Sequence, residues 1–90
     1  MNGGVILGRK SIDMLATFFS NGKTEPHRFK IMNEDGSENV IKIERILQRD
    51  QNNYAGNRMI CYRCETKQHD VLIPVDLRYE VDTCRWYLYV

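Results

Sequence analysis

Ninety residues are enough for one domain with a single core, and 42% apolar with 28% charged residues is an ordinary globular composition. Thirteen basic against twelve acidic residues leave a net charge of +1, which excludes the strongly basic whole-domain field of a typical nucleic-acid binder. Three cysteines (Cys61, Cys64, Cys84) are an odd number and exclude a fully paired disulfide scaffold of secreted type. No stretch approaches membrane-spanning length. The apolar run Val5-Ile6-Leu7 has no basic residue before it and is too short for a signal sequence, so a cytoplasmic protein is expected.

Residues 11–21 carry Ile12, Leu15, Ala16, Phe18 and Phe19 at the i, i+3, i+4, i+7 spacing of an amphipathic helix. Ser11 suits its N-cap, Asp13 its first turn, and Asn21-Gly22 its end. After Pro26 the period changes to two. Phe29 and Ile31 alternate with Arg28 and Lys30, and residues 33–37 supply turn chemistry. A three-residue loop at Asp35-Gly36-Ser37 would set Ile31 opposite Ile41 and Phe29 opposite Ile43. Residues 40–47 read as a strand that slips into a bulge near Glu44, with a helix as the competing reading. Residues 49–57 read as a polar loop.

Three further strands are expected over 58–64, 71–81 and 84–90. The alternation from Val71 to Val81 is the strongest pattern in the chain. It predicts cross-strand pairs Tyr79 with Trp86 and Leu77 with Leu88 inside, and Glu80 with Arg85 outside. An even loop over 65–70 predicts Cys64 opposite Val71, Tyr62 opposite Ile73 and Ile60 opposite Val75. The implied core is Phe29, Ile31, Ile41, Ile43, Ile60, Tyr62, Cys64, Val71, Ile73, Val75, Leu77, Tyr79, Trp86 and Leu88. The expected fold is α+β: one N-terminal helix with a curved five-stranded antiparallel sheet or small open barrel, bent near Pro74. It forms one domain, with 1–25 as the helical segment and 26–90 as the β-rich body.

Chemistry-bearing motifs are sparse. Cys61-Tyr62-Arg63-Cys64, with His69 and Cys84, offers four ligand types for zinc, yet an odd offset on a strand sends Cys61 and Cys64 to opposite faces. No helix follows that would make the pair thioredoxin-like. Gly3-Gly4 and Gly36 build no phosphate loop. No nucleophile, paired carboxylates, metal site or cofactor is predicted, and the expectation is a protein without enzymatic activity. The informative feature is the outward face of the C-terminal sheet, where Arg63, Arg78, Arg85, Tyr87 and Tyr89 share a side with Met59, Cys61 and Leu72. Arginine and tyrosine together suit a protein partner, and they suit stacking against single-stranded nucleic acid. The competing reading is that the N-terminal helix covers this face.

Two stretches, residues 55–64 (Ala-Gly-Asn-Arg-Met-Ile-Cys-Tyr-Arg-Cys) and 77–88 (Leu-Arg-Tyr-Glu-Val-Asp-Thr-Cys-Arg-Trp-Tyr-Leu), resemble a group of short, uncharacterised β-rich bacterial proteins. The resemblance runs from Pro26 onward. It implies a β-rich fold and carries no activity, cofactor or site residue with it.

Overall fold

The computed structural model describes residues 8–54 and 56–89. Six strands follow one another: β1 (Arg9–Phe18), β2 (Thr24–Met32), β3 (Glu38–Tyr54), β4 (Asn57–Gln68), β5 (Val71–Glu80) and β6 (Arg85–Tyr89). Each pairs antiparallel with the next, and β6 returns to β1 to close a barrel. Two strands are shared between its walls. The first half of β1 joins β6, β5, β4 and the second half of β3 in one sheet, while the remaining halves of β1 and β3 sandwich β2 in the other. Bulges in β3 between Ile43 and Arg45 and between Ile46 and Gln48 accompany its passage from one wall to the other.

This corrects the α+β expectation. No helix forms among the described residues, the strands number six, and the barrel is closed. The segment taken for a helix is β1, because its residues also carry a period of two: Ile12, Met14 and Ala16 face the core. Leu15 and Phe18, central to the helical stripe, stand 61% and 60% exposed. Asn21-Gly22 serves a hairpin turn rather than a helix end. Gly22 has φ 90°, Phe19 N–H donates to Lys23 C=O at 2.8 Å, and Gly22 N–H donates to Phe19 C=O at 2.9 Å.

The β2–β3 hairpin repeats this device. Asn33 N–H donates to Ser37 C=O at 2.7 Å, Gly36 N–H to Asn33 C=O at 3.0 Å, and Gly36 sits at φ 87°. In both turns an Asn or Asp side chain (Asn21, Asp35) accepts from the backbone N–H two residues on. The loop is three residues long, as predicted, but starts one residue earlier, at Glu34. Phe29 therefore faces Ile41 and Ile31 faces Asn39, with the faces unchanged.

The β4–β5 register also moves. His69 and Asp70, at φ 50° and 64°, form a two-residue turn of the kind that matches strand twist. Cys64 pairs with Val75, Tyr62 with Leu77 and Ile60 with Tyr79. The shift is even, so inward residues stay inward, except that Val71 lies near the turn and is 59% exposed. Residues 49–54, read as a loop, are the second half of β3. The final hairpin has the predicted pairs Tyr79 with Trp86, Leu77 with Leu88 and Glu80 with Arg85. The Val5-Ile6-Leu7 run and Val90, the end of the last expected strand, lie outside the described residues.

The core is Ile12, Phe29, Ile43, Ile60, Tyr62, Cys64, Leu77, Tyr79, Trp86 and Leu88. Trp86 lies against Tyr79 and Tyr62, with ring centroids 4.9 and 5.6 Å away. The Tyr62 hydroxyl, deep among them, is satisfied: it donates to the Thr24 carbonyl at 2.6 Å and also bonds the Thr24 hydroxyl. No helix among the described residues is long and apolar enough to cross a membrane.

Candidate binding groove and outward strip

Side chains that point away from the core align in rows across neighbouring strands. One row runs Gln48, Arg63, Asp76, Tyr89, Arg9; the next runs Asp50, Cys61, Arg78, Tyr87, Ser11. Four of the five predicted site residues, Arg63, Arg78, Tyr87 and Tyr89, thus fall in adjacent rows. Arg85 belongs to the same face, but it sits four residues along β6 from Tyr89, about 13 Å away.

The strip is more internally engaged than a bare face. Arg78 places its guanidinium 3.9 Å from the Tyr89 ring centroid and 3.6 Å from an Asp76 carboxylate oxygen. Arg9 lies 4.2 Å above the Tyr87 ring, and a hydrogen bond with Tyr89 raises its already high pKa. Tyr87 is buried on this face, as are Met59 and Glu80. Glu80 accepts from Thr83 Oγ1 at 2.5 Å. Among the described residues no helix covers the strip, and the segment expected to dock there as a helix is β1. Arg9 is the residue the sequence reading missed, because a strand over Arg9–Phe18 is what places it beside Tyr87.

Beside the strip lies an apolar groove of about 470 Å³, at the barrel end where the β2–β3 and β4–β5 hairpins reach past β6. Its walls are Phe29, Ile31, Ile41, Ile73, Pro74, Val75 and Leu88, and Arg63, Gln68, Asp76 and Tyr89 supply polar groups. Ile31, Ile41 and Val75 are only half-buried, since nothing among the described residues fills the space over them. A smaller polar hollow of about 250 Å³, walled by Gln48, Asp50, Asn52, Cys61 and Arg78, shares Arg63 and Asp76 with the groove. The two therefore adjoin across these side chains. Arg63 is exposed at their junction, and no ion pair engages it among the described residues.

The cysteines are all unpaired. Cys61 faces outward, where Asn52 Nδ2 donates to its sulfur at 3.5 Å, while Cys64 is wholly buried in the core. Burial pushes the Cys64 thiol up to about 12, against the direction that would favour a thiolate ligand or nucleophile. Among the described residues no three His, Cys, Asp or Glu side chains converge as a metal site would require.

One constellation went unseen in the sequence. Thr17 Oγ1 bonds His27 Nε2 at 2.5 Å, and Glu25 stands 3.9 Å from His27 Nδ1. Adjacent strands β1 and β2 bring the three together. The order hydroxyl, imidazole, carboxylate imitates a nucleophilic triad, but 3.9 Å is beyond hydrogen-bond reach, so the carboxylate does not fix the ring.

Compared with known proteins, the chain matches no protein family, no curated protein and no solved structure.

Proposed function

We propose that this barrel is a non-enzymatic binding module for a protein partner, which seats an apolar side chain in the groove and sets a carboxylate against Arg63. The observation that carries this reading is the continuity of the half-open apolar groove with an exposed arginine at its lip. A groove of this volume falls within the range of small-ligand and anchor-residue pockets. An apolar centre with a polar rim is the anatomy of a protein interface. The choice of an acidic partner follows from charge: Asp76 is already engaged by Arg78, whereas Arg63 has its charge to offer. A cytoplasmic setting belongs to this reading and accords with three unpaired thiols.

Single-stranded nucleic acid fits the strip less well. Guanidinium groups already lie over the Tyr87 and Tyr89 rings, and Tyr87 is buried, so neither offers a bare platform to a base.

The test uses two peptide pools, Phe or Leu flanked by Asp and Glu, and the same anchors flanked by Lys, titrated into isotopically labelled protein. The expected result is selective binding of the acidic pool. Amide shifts should be centred on Ile31, Ile41, Ile73 and Val75 and should be lost in Arg63→Glu. Absence of binding by either pool overturns the reading. Binding of oligothymidylate at low salt, mapped to the strip and abolished at physiological salt, transfers it to nucleic acid.

A further inference from the structure

The barrel is closed, yet among the described residues one long strand edge has no partner strand. β3 pairs with β2 only through Glu38–Lys42 and with β4 through Ile43–Tyr54, and among the described elements it packs against no other strand. From Gln48 to Tyr54 the ladder to β4 runs without a shift, so this stretch is a regular strand with one free side.

The phase of that edge follows from a single hydrogen bond. Val81 N–H donates to the Arg58 carbonyl at 3.0 Å, which makes Arg58 a residue that addresses β5. Bonding direction alternates along an antiparallel ladder, so Ile60 and Tyr62 also address β5, while Asn57, Met59 and Cys61 address β3. Their partners Tyr54, Asn52 and Asp50 turn back toward β4. The backbone N–H and C=O groups of Arg49, Gln51 and Asn53 therefore point outward, away from the barrel.

Proteins blunt such edges with charged side chains, lysine above all, with proline or with bulges, and here Arg49 and Asp50 are the only charges on the regular stretch. Residues 48–54 (Gln-Arg-Asp-Gln-Asn-Asn-Tyr) contain no lysine or proline, and both bulges lie upstream of the regular ladder. The edge is exposed along Gln48–Gln51 and at Asn53.

We infer that this edge of β3 pairs antiparallel with the same edge of a second copy, about a two-fold axis through Gln51. The charge pattern suits a second copy and narrows the register. An axis through Asp50 would oppose two carboxylates, and an axis through Arg49 would oppose two guanidiniums, each destabilising. Centring on Gln51 sets Arg49 against Asn53 and Asp50 against Asn52, with no like charges directly opposite. The outward backbone groups then meet in three pairs (49 with 53, 51 with 51, 53 with 49). Two bonds per pair give six backbone hydrogen bonds. An axis through Asn52, also free of like-charge pairs, would form only two outward backbone pairs within residues 48–54. The five-stranded walls of the two copies join into one continuous sheet, and the groove at the barrel end is not part of this interface.

Sedimentation equilibrium over a dilution series reads the inference directly. The protein is expected to approach twice its 10.6 kDa at high concentration and to fall to monomer on dilution. Gln51→Pro removes the central outward N–H without touching the β4 ladder, a position where edge strands tolerate proline. It should stay monomeric throughout with an unchanged far-UV spectrum. Gln51→Lys sets two ammonium groups across the axis. It should weaken association at least about tenfold, partly relieved by salt, and it decides the matter if the proline variant unfolds. A wild-type protein that is monomeric at every concentration overturns the inference, as does a dimer that both folded variants, or the lysine variant alone where the proline variant unfolds, leave intact.

Discussion

Removing the Trp86 ring is the most demanding perturbation of the barrel. Trp86 is 6% exposed, sits opposite Tyr79 across β5 and β6, and packs on Tyr62 as well. An aromatic side chain of this kind buries roughly 150–250 Å². At about 25 cal/mol per Å² that burial contributes roughly 4–6 kcal/mol. Truncation to alanine keeps the Cβ but leaves a cavity, and such changes cost about 3–5 kcal/mol. Total stability for a small domain is about 5–15 kcal/mol, and each kcal/mol shifts Tm by roughly 4–8 °C at this size. Trp86→Ala should therefore lower Tm by roughly 12–40 °C, or leave the chain unfolded. The assay is far-UV circular dichroism, because the variant has lost the only tryptophan. A Tm within about 4 °C of wild type, equivalent to about 1 kcal/mol, would refute the inward placement of β6 and the register with it.

Tyr62→Phe removes the hydroxyl that satisfies the Thr24 carbonyl and should cost about 1–3 kcal/mol by chemical denaturation. Leu15→Glu, on a side chain that a helix would bury but β1 exposes, should change stability by less than about 0.5 kcal/mol; a larger loss would mean that Leu15 packs inward. Under native conditions a thiol reagent should modify exposed Cys84 and spare Cys64, with all three reacting in denaturant. Burial also raises both Cys64 and Tyr79 to about 12 from ordinary values of 9.0 and 10.0. The unfolded chain loses these protons first, so their contribution is fully present below pH 9 and stability should fall as pH rises from there toward 12. A flat denaturation midpoint across that window would contradict their burial.

The strands were legible where one face is buried and the other wet. Val71–Glu80 and Arg85–Tyr89 show that alternation, and their pairing followed from it. Residues 11–18 support two periods at once. Ile12, Met14 and Ala16 make a strand face, while Leu15 and Phe18 complete a helical stripe, and only pairing with β2 on one side and β6 on the other decides between them. The second half of β3 was illegible for another reason. Its residues are largely exposed and polar, so they lack the apolar alternation of a half-buried strand and read as a loop. The Arg/Tyr strip could be found because parity survives an even register error. The groove could not, because Ile31, Ile41, Ile73 and Val75 look like ordinary core residues until the barrel end is seen to leave them half open.

Closure of the barrel, and with it the place of Arg9 beside Tyr87 in the strip, depends on β1 being a strand that pairs with β6. Nuclear Overhauser effects between the backbones of these two strands test this directly. The account predicts cross-strand signals linking Ser11 to Tyr87 and Ile12 to Trp86, with slow amide exchange along the shared ladder. Sequential helical signals through residues 11–18, with no cross-peaks to β6, would contradict it.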